Sequence, residues 1–135
     1  MQVVFIDTNV LLDFFLNREG TELARRILCM GYDHICSLYV SSLAFSHIAY
    51  IMRKVAKGEA LYDILETLRE MVHIAAVDET VIANAIRLRA ADFEDAIQYY
   101  SAKQIGACVI VTNNTKDFIF SDIEVLKPSA FLQRG

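Results

Sequence analysis

Acidic and amide side chains occur in three widely separated stretches of this 135-residue chain. Asp7 immediately follows an apolar run, residues 2–6. Asp92, Glu94 and Asp95 precede a helical stretch that leads into a second apolar run, residues 107–111. Asn113, Asn114 and Asp117 follow that second run just after Thr112. Carboxylates gathered at one place repel, and each raises the cost of ionising its neighbours. A divalent cation relieves that repulsion, and oxygen donors without Cys or paired His suit Mg²⁺ or Mn²⁺. The chemistry open to such a site is Lewis-acid activation of a water and of a phosphate ester.

Each residue also has a plainer role. Asp92 can cap a helix, and Asp95 in a first helical turn favours the macrodipole without any metal. Asn113 and Asn114 fit a turn, and Asp117 can cap a short helix beginning at Phe118. Asp7 has no such role, because it ends a strand apolar enough to be buried on both faces.

The elements that must position these residues alternate along the chain. Residues 2–6 are rich in β-branched types and read as a central strand. Residues 10–16 and 21–30 read as helices, with Gly31 placed to end the second. A short extended piece is expected at residues 34–37. Ser41 and Ser42 can cap a helix running to Lys57 and stopped by Gly58. Leu61, Ile64, Leu65, Leu68, Met71 and Val72 then recur at three- and four-residue steps, the period of an amphipathic helix. Residues 73–77 read as a strand, and Asp78 as the cap of a helix through Ile82, Ala85 and Ile86. Asp92 caps another reaching Ile105, with Gly106 beyond it. Residues 107–111 and 123–126 are the last strands, before Pro128 and a closing helical turn. Strands separated by helices predict right-handed crossovers and a mainly parallel sheet with helices on both faces, an α/β fold. Ligands in such folds bind beyond the carboxyl ends of the strands, where the acidic and amide residues fall.

Composition narrows the function classes. There is one proline and no linker or repeat, so a single domain over residues 1–135 is expected. Apolar residues make up 55% and mean hydropathy is +0.34, yet no apolar run reaches the ~18 residues of a membrane span. The start MQVVFID has neither a basic segment nor a long apolar one, so a cytoplasmic protein is expected. Cys29, Cys36 and Cys108, an odd set without CxxC, argue against a disulfide framework and a zinc site. The net charge of −4 excludes binding nucleic acid by bulk electrostatics, so phosphate contact requires local cations or a metal. The high apolar content also predicts a homodimer, through the amphipathic helices between Ser42 and Val72.

Taken together, IDTNVLLD at the start, DFEDAIQYYSA in the second half and TNNTKDF after the second apolar run resemble the three signature blocks of the PIN domain family, closest to its bacterial VapC-like branch. The blocks span residues 7–118. The resemblance implies a three-layer α/β/α sandwich with a central five-stranded parallel sheet. It also implies Mg²⁺ or Mn²⁺, and endoribonuclease activity by a metal-activated water that leaves 5′-phosphate and 3′-hydroxyl ends. By motif position Asp7, Asp95 and Asp117 are the catalytic acids. The implied ligand set is Asp7, Asp95, Asp92, Asn114 and Asp117, supported by Thr8, Asn9 and Thr112. Arg18, Lys116 and Arg53, the last in a cluster with Lys54 and Lys57, are expected to grip RNA. Helix-end dipoles are the alternative reason for that cluster. A small antitoxin-type protein is the implied partner.

Two positions depart from the family pattern. His47 stands where a Glu is usual, and Asn114 where an Asp is. His47 can be a neutral ligand, a proton carrier or an inert helix residue, and this loss of charge keeps open a degenerate PIN-like module that binds RNA or protein without cutting. Two other catalysts fit less well. Aspartate phosphatases need a second Asp where Asn9 stands, and receiver domains need an acidic neighbour that Asp7 lacks.

Overall fold

The first apolar run forms β1 (Val3–Ile6) in the computed structural model, which describes residues 1–134. It is flanked by β2 (Ser37–Ser41) and β4 (Val109–Val111), with β3 (His73–Ala75) and β5 (Glu124–Leu126) at the edges. The order is β3-β2-β1-β4-β5, every pair is parallel, and register is set by pairs such as Phe5 with Tyr39 and with Ile110.

Alternation along the strands divides the core into two. Val4 and Ile6 of β1, Leu38 and Val40 of β2, and Val109 and Val111 of β4 share one core with helices α1 (Thr8–Phe15), α2 (Thr21–Tyr32), α3 (Ser42–Met52) and α4 (Glu59–Met71). Phe131 of α7 (Pro128–Gln133) joins them. Phe5 and Ile110 turn to the other face and meet Tyr99 and Ala102 of α6 (Phe93–Gln104). Helix α5 (Glu79–Leu88) packs on α6 through Val81 and Ala85 against Ala96 and Ile97. The result is the three-layer sandwich. Phe5, Ile6, Leu38 and Ile110 are each under 2% exposed, and burying such a side chain contributes about 1.5–3 kcal/mol.

Several boundaries differ from the sequence reading. The extended piece expected at residues 34–37 lies later, at Ser37–Ser41, because His34 adopts a left-handed φ of 58° and still belongs to the turn after α2. Gly31 does not end its helix. It sits inside α2, where a Cβ would lie 2.6 Å from Leu38 Cδ1 and 2.7 Å from the Met71 carbonyl oxygen, so glycine permits a close approach there. The helix expected to reach Lys57 stops at Met52, and Gly58, at φ 58°, precedes α4 instead of merely ending α3. The helix expected from Val10 begins at Thr8.

Strand order places the site. From β1 the chain moves outward through β2 to β3, then crosses to the opposite side for β4 and β5. The carboxyl ends of β1 and β4 therefore flank the point where the winding direction reverses, where a crevice opens in such sheets. Asp7 follows β1 there and Thr112 follows β4. The Asp7 N–H donates to the Val111 carbonyl at 2.9 Å and the Thr112 N–H to that of Leu126 at 3.0 Å, which fixes both departure points.

Candidate metal centre

Asp7 occupies the N-cap position of α1 with extended dihedrals, yet its side chain makes no capping bond. The carboxylate turns instead toward β4 and α6. Its Oδ2 accepts from Thr112 Oγ1 at 2.7 Å and its Oδ1 from Gln98 Nε2 at 2.8 Å. Only 3% of Asp7 is exposed. Thr112 is held in turn, its hydroxyl oxygen accepting the Asn114 N–H at 3.1 Å, and Gln98 Oε1 accepts the Thr8 N–H at 3.4 Å. A capping role for Asp7 is thus forgone while a near-buried carboxylate is fixed in one orientation.

Asp92 does cap α6, its Oδ1 accepting the Glu94 N–H at 2.9 Å and, more weakly, that of Asp95 at 3.4 Å. The cap starts α6 there, and Glu94 and Asp95 in its first turn line the same cavity as Asp7. These four acids and Asp117, on the 3₁₀ turn Thr115–Phe118 after β4, line one cavity of about 430 Å³. Thr8 and Asn9 complete its floor, and the facing wall is α3, through Leu43, His47 and Tyr50. No Lys or Arg lines this cavity among the described residues. The Asp95 carboxyl is pushed up to about 7, first by burial and then by the charges of Asp92, Asp7, Asp117 and Glu94.

That donor set fits a hard divalent cation. It is all oxygen apart from the His47 imidazole, and its mutual repulsion is what a cation relieves. Among the described residues, no three His, Cys, Asp or Glu side chains stand close enough to enclose an ion unaided. The cavity therefore suits an ion that keeps several of its waters and takes one or two direct carboxylates, the usual habit of Mg²⁺.

Other expected residues are distributed less evenly. Asn114 is solvent-exposed and does not line the cavity, its backbone serving Thr112 instead. Asn113 donates to Asp13 Oδ2 at 2.8 Å and ties the loop before Asp117 to α1. Arg18 lies away from the cavity, 3.8 Å from the Asp13 carboxylate, and Lys116 is exposed beside Asp117 without lining it. Arg53 stands just beyond the α3 wall, against Tyr50. The sequence reading missed Gln98, Asp13 and Tyr50. Gln98 was accessible to it, since it lies three residues after Asp95 on one helix face. Nothing local marks Asp13, whose partner lies 100 residues away.

A parallel three-layer domain with acids gathered at its switch point defines the class to which this chain is assigned. It belongs to the PIN domain family, whose model matches residues 3–116. Ribonuclease VapC1 of Aquifex aeolicus (strain VF5) is 32% identical over 141 residues, covering 97% of this chain and 94% of that protein. The fold is shared with the DNA-bound VapBC structure from Salmonella typhimurium, at TM-score 0.73 and 18% identity, covering 95% of this chain and 99% of that one. It is shared too with VapC20 of Mycobacterium tuberculosis, a sarcin–ricin loop cleaving toxin, at TM-score 0.62 and 14% identity over 79% of this chain and 86% of that one.

Proposed function

We propose that this PIN-domain chain is a divalent-metal-dependent endoribonuclease with Asp7, Asp95 and Asp117 as its catalytic acids. The observation that carries the reading is the orientation of Asp7, taken out of its capping role and fixed by Thr112 and Gln98 beside the acids of α6. Asp7 and Asp95 would hold Mg²⁺ or Mn²⁺ in the cavity that Asp117, Asp92 and Glu94 also line. When bound, the ion supplies a more acidic water and neutralises charge on the phosphate. Thr112 and Gln98 keep the Asp7 oxygens aimed, each leaving a lone pair free on the oxygen it binds. Asp95 holds a proton near neutral pH until a cation takes its place. His47, half-buried in the α3 wall, faces the acids and is placed to accept or return a proton at its ring nitrogens.

The VapC-type relative and the VapBC neighbours support a toxin's role, with a small antitoxin-type protein as partner. A homodimer through α4 fits the 68% exposure of Tyr62 on that helix. No helix among the described residues is long and apolar enough to cross a membrane. A cytoplasmic site of action belongs to the same proposal as the RNA substrate.

The test is cleavage of structured and unstructured RNAs with Mg²⁺ or Mn²⁺, beside EDTA and Asp7→Asn controls. Cutting that disappears in both controls is the expected result. A wild type no different from Asp7→Asn on every RNA would overturn the proposal. The degenerate-module reading draws on the exposed Asn114 and on the lack of a closed ligand cage. It requires that Mn²⁺ leave the melting temperature unchanged.

A further inference from the structure

The acids of the cavity come from the end of β1, the start of α6 and the 3₁₀ turn, whereas the α3 wall supplies none. Tyr50 forms the outer end of that wall and is 63% exposed. The Arg53 guanidinium lies 4.0 Å from the centroid of its ring, and Arg53 also donates to the Tyr50 carbonyl at 2.8 Å. Beyond Arg53 the α3–α4 connection forms an open hollow of about 660 Å³, in which Arg53, Lys54 and Lys57 meet Gly58 and Leu61. No acid lines it, and among the described residues none of its three cations is in an ion pair. On a chain of net charge −4, three unpaired cations gathered beside an acidic cavity are a local reversal of sign.

An exposed aromatic ring beside a basic groove is the combination by which proteins hold single-stranded nucleic acid. Bases stack on the ring and phosphates follow the cations. We propose that Tyr50 is a stacking platform for an unpaired base next to the scissile phosphate, and that Arg53, Lys54 and Lys57 seat the phosphates that follow. The ligand is single-stranded RNA, since a paired base presents no free face to the ring. This inference rests on the nuclease reading and assigns its substrate path. Arg53 stiffens the platform by covering part of the ring and adds its charge where the strand turns from acids to bases.

The experiment is fluorescence anisotropy with a labelled single-stranded RNA 12-mer in EDTA, so that binding is read without cleavage. Wild type is compared with Tyr50→Phe, Tyr50→Ala and the double variant Lys54→Ala/Lys57→Ala. Tyr50→Phe should bind as wild type, and Tyr50→Ala about five- to a hundredfold more weakly, the range for one stacked base. The double lysine variant should flatten the log–log salt dependence by about 1.4, at ~0.7 for each phosphate contact on a single strand. A blunt-ended RNA duplex should not distinguish Tyr50→Ala from wild type. The Mn²⁺-induced rise in melting temperature reports the folded carboxylate site separately. Equal RNA affinity for Tyr50→Ala and wild type, or an unchanged salt slope, overturns the platform while leaving metal-dependent cleavage intact. A dimer by light scattering that Tyr50→Ala dissociates would overturn it in favour of a second copy of the chain. A wild type that neither binds nor cuts RNA removes the nuclease reading and the platform together.

Discussion

Both oxygens of Asp7 accept a hydrogen bond from a neutral donor, one from Thr112 and one from Gln98. Neutral donors orient a carboxylate without cancelling the charge that attracts a cation, which an arginine would do. Gln98 has a second task, since its carbonyl oxygen accepts the Thr8 N–H at the start of α1 and so ties that helix to α6. Leucine at 98 fills similar space and performs neither task. Groups that orient a metal ligand typically change affinity by about 10–100-fold when removed. Gln98→Leu should weaken Mn²⁺ binding by that order in calorimetric titration, with the fold retained by circular dichroism. Unchanged Mn²⁺ affinity would show that Thr112 alone aims Asp7.

Among the elements, α2 carries the sharpest packing constraint. At Gly31 the helix closes on Leu38 of β2 and on the last turn of α4, with no room for a methyl group. Alanine in a helix interior is favoured over glycine by up to ~1 kcal/mol, but overpacking against backbone typically costs about 1–3 kcal/mol. Because one of the obstructing atoms is the Met71 carbonyl, the clash should win, and Gly31→Ala should lower stability by about 1–2 kcal/mol in urea unfolding. A stabilised Gly31→Ala variant would mean that α2 shifts freely against the sheet. The same residue shows where reading from sequence stops. Hydrophobic periodicity located α4, unbroken apolar runs located the buried strands, and Asp78, Asp92 and Gly106 marked ends through local chemistry. Gly31 resembles a terminator locally, but the helix runs on to Tyr32, and only its tertiary neighbours show why glycine stands there. The start of β2 was obscured in the same way, by the left-handed turn at His34. For the proposed site, the sequence offered Asp7 just after β1, Asp95 in the first turn of α6 and Asp117 on the 3₁₀ turn, and all three line one cavity. The pairing of Asp13 with Asn113, and of Gln98 with Asp7, depends on which strands become neighbours.

Over the whole molecule the acid cluster sets a balance between stability and metal binding. Without a cation, burial and four neighbouring acids keep Asp95 protonated up to about pH 7, against 3.8 for the unperturbed group. Between those values the folded state binds more protons at this site than the unfolded chain does. Stability therefore falls as pH rises from about 4 to about 7, and this contribution levels off above that range. A divalent ion acts in the opposite direction, because it competes with the proton and binds more tightly as pH rises. At about 100 times its dissociation constant it adds roughly 2.7 kcal/mol to the folded state. Melting temperatures in EDTA, taken as wild type minus Asp95→Asn to remove other titrating groups, should fall between pH 5 and pH 8. Saturating Mn²⁺ should raise wild type more at pH 8 than at pH 5 and leave Asp95→Asn nearly unmoved. A difference that rises with pH in EDTA would mean that Asp95 already has a cationic partner in the fold and that the cluster is not held in want of a metal.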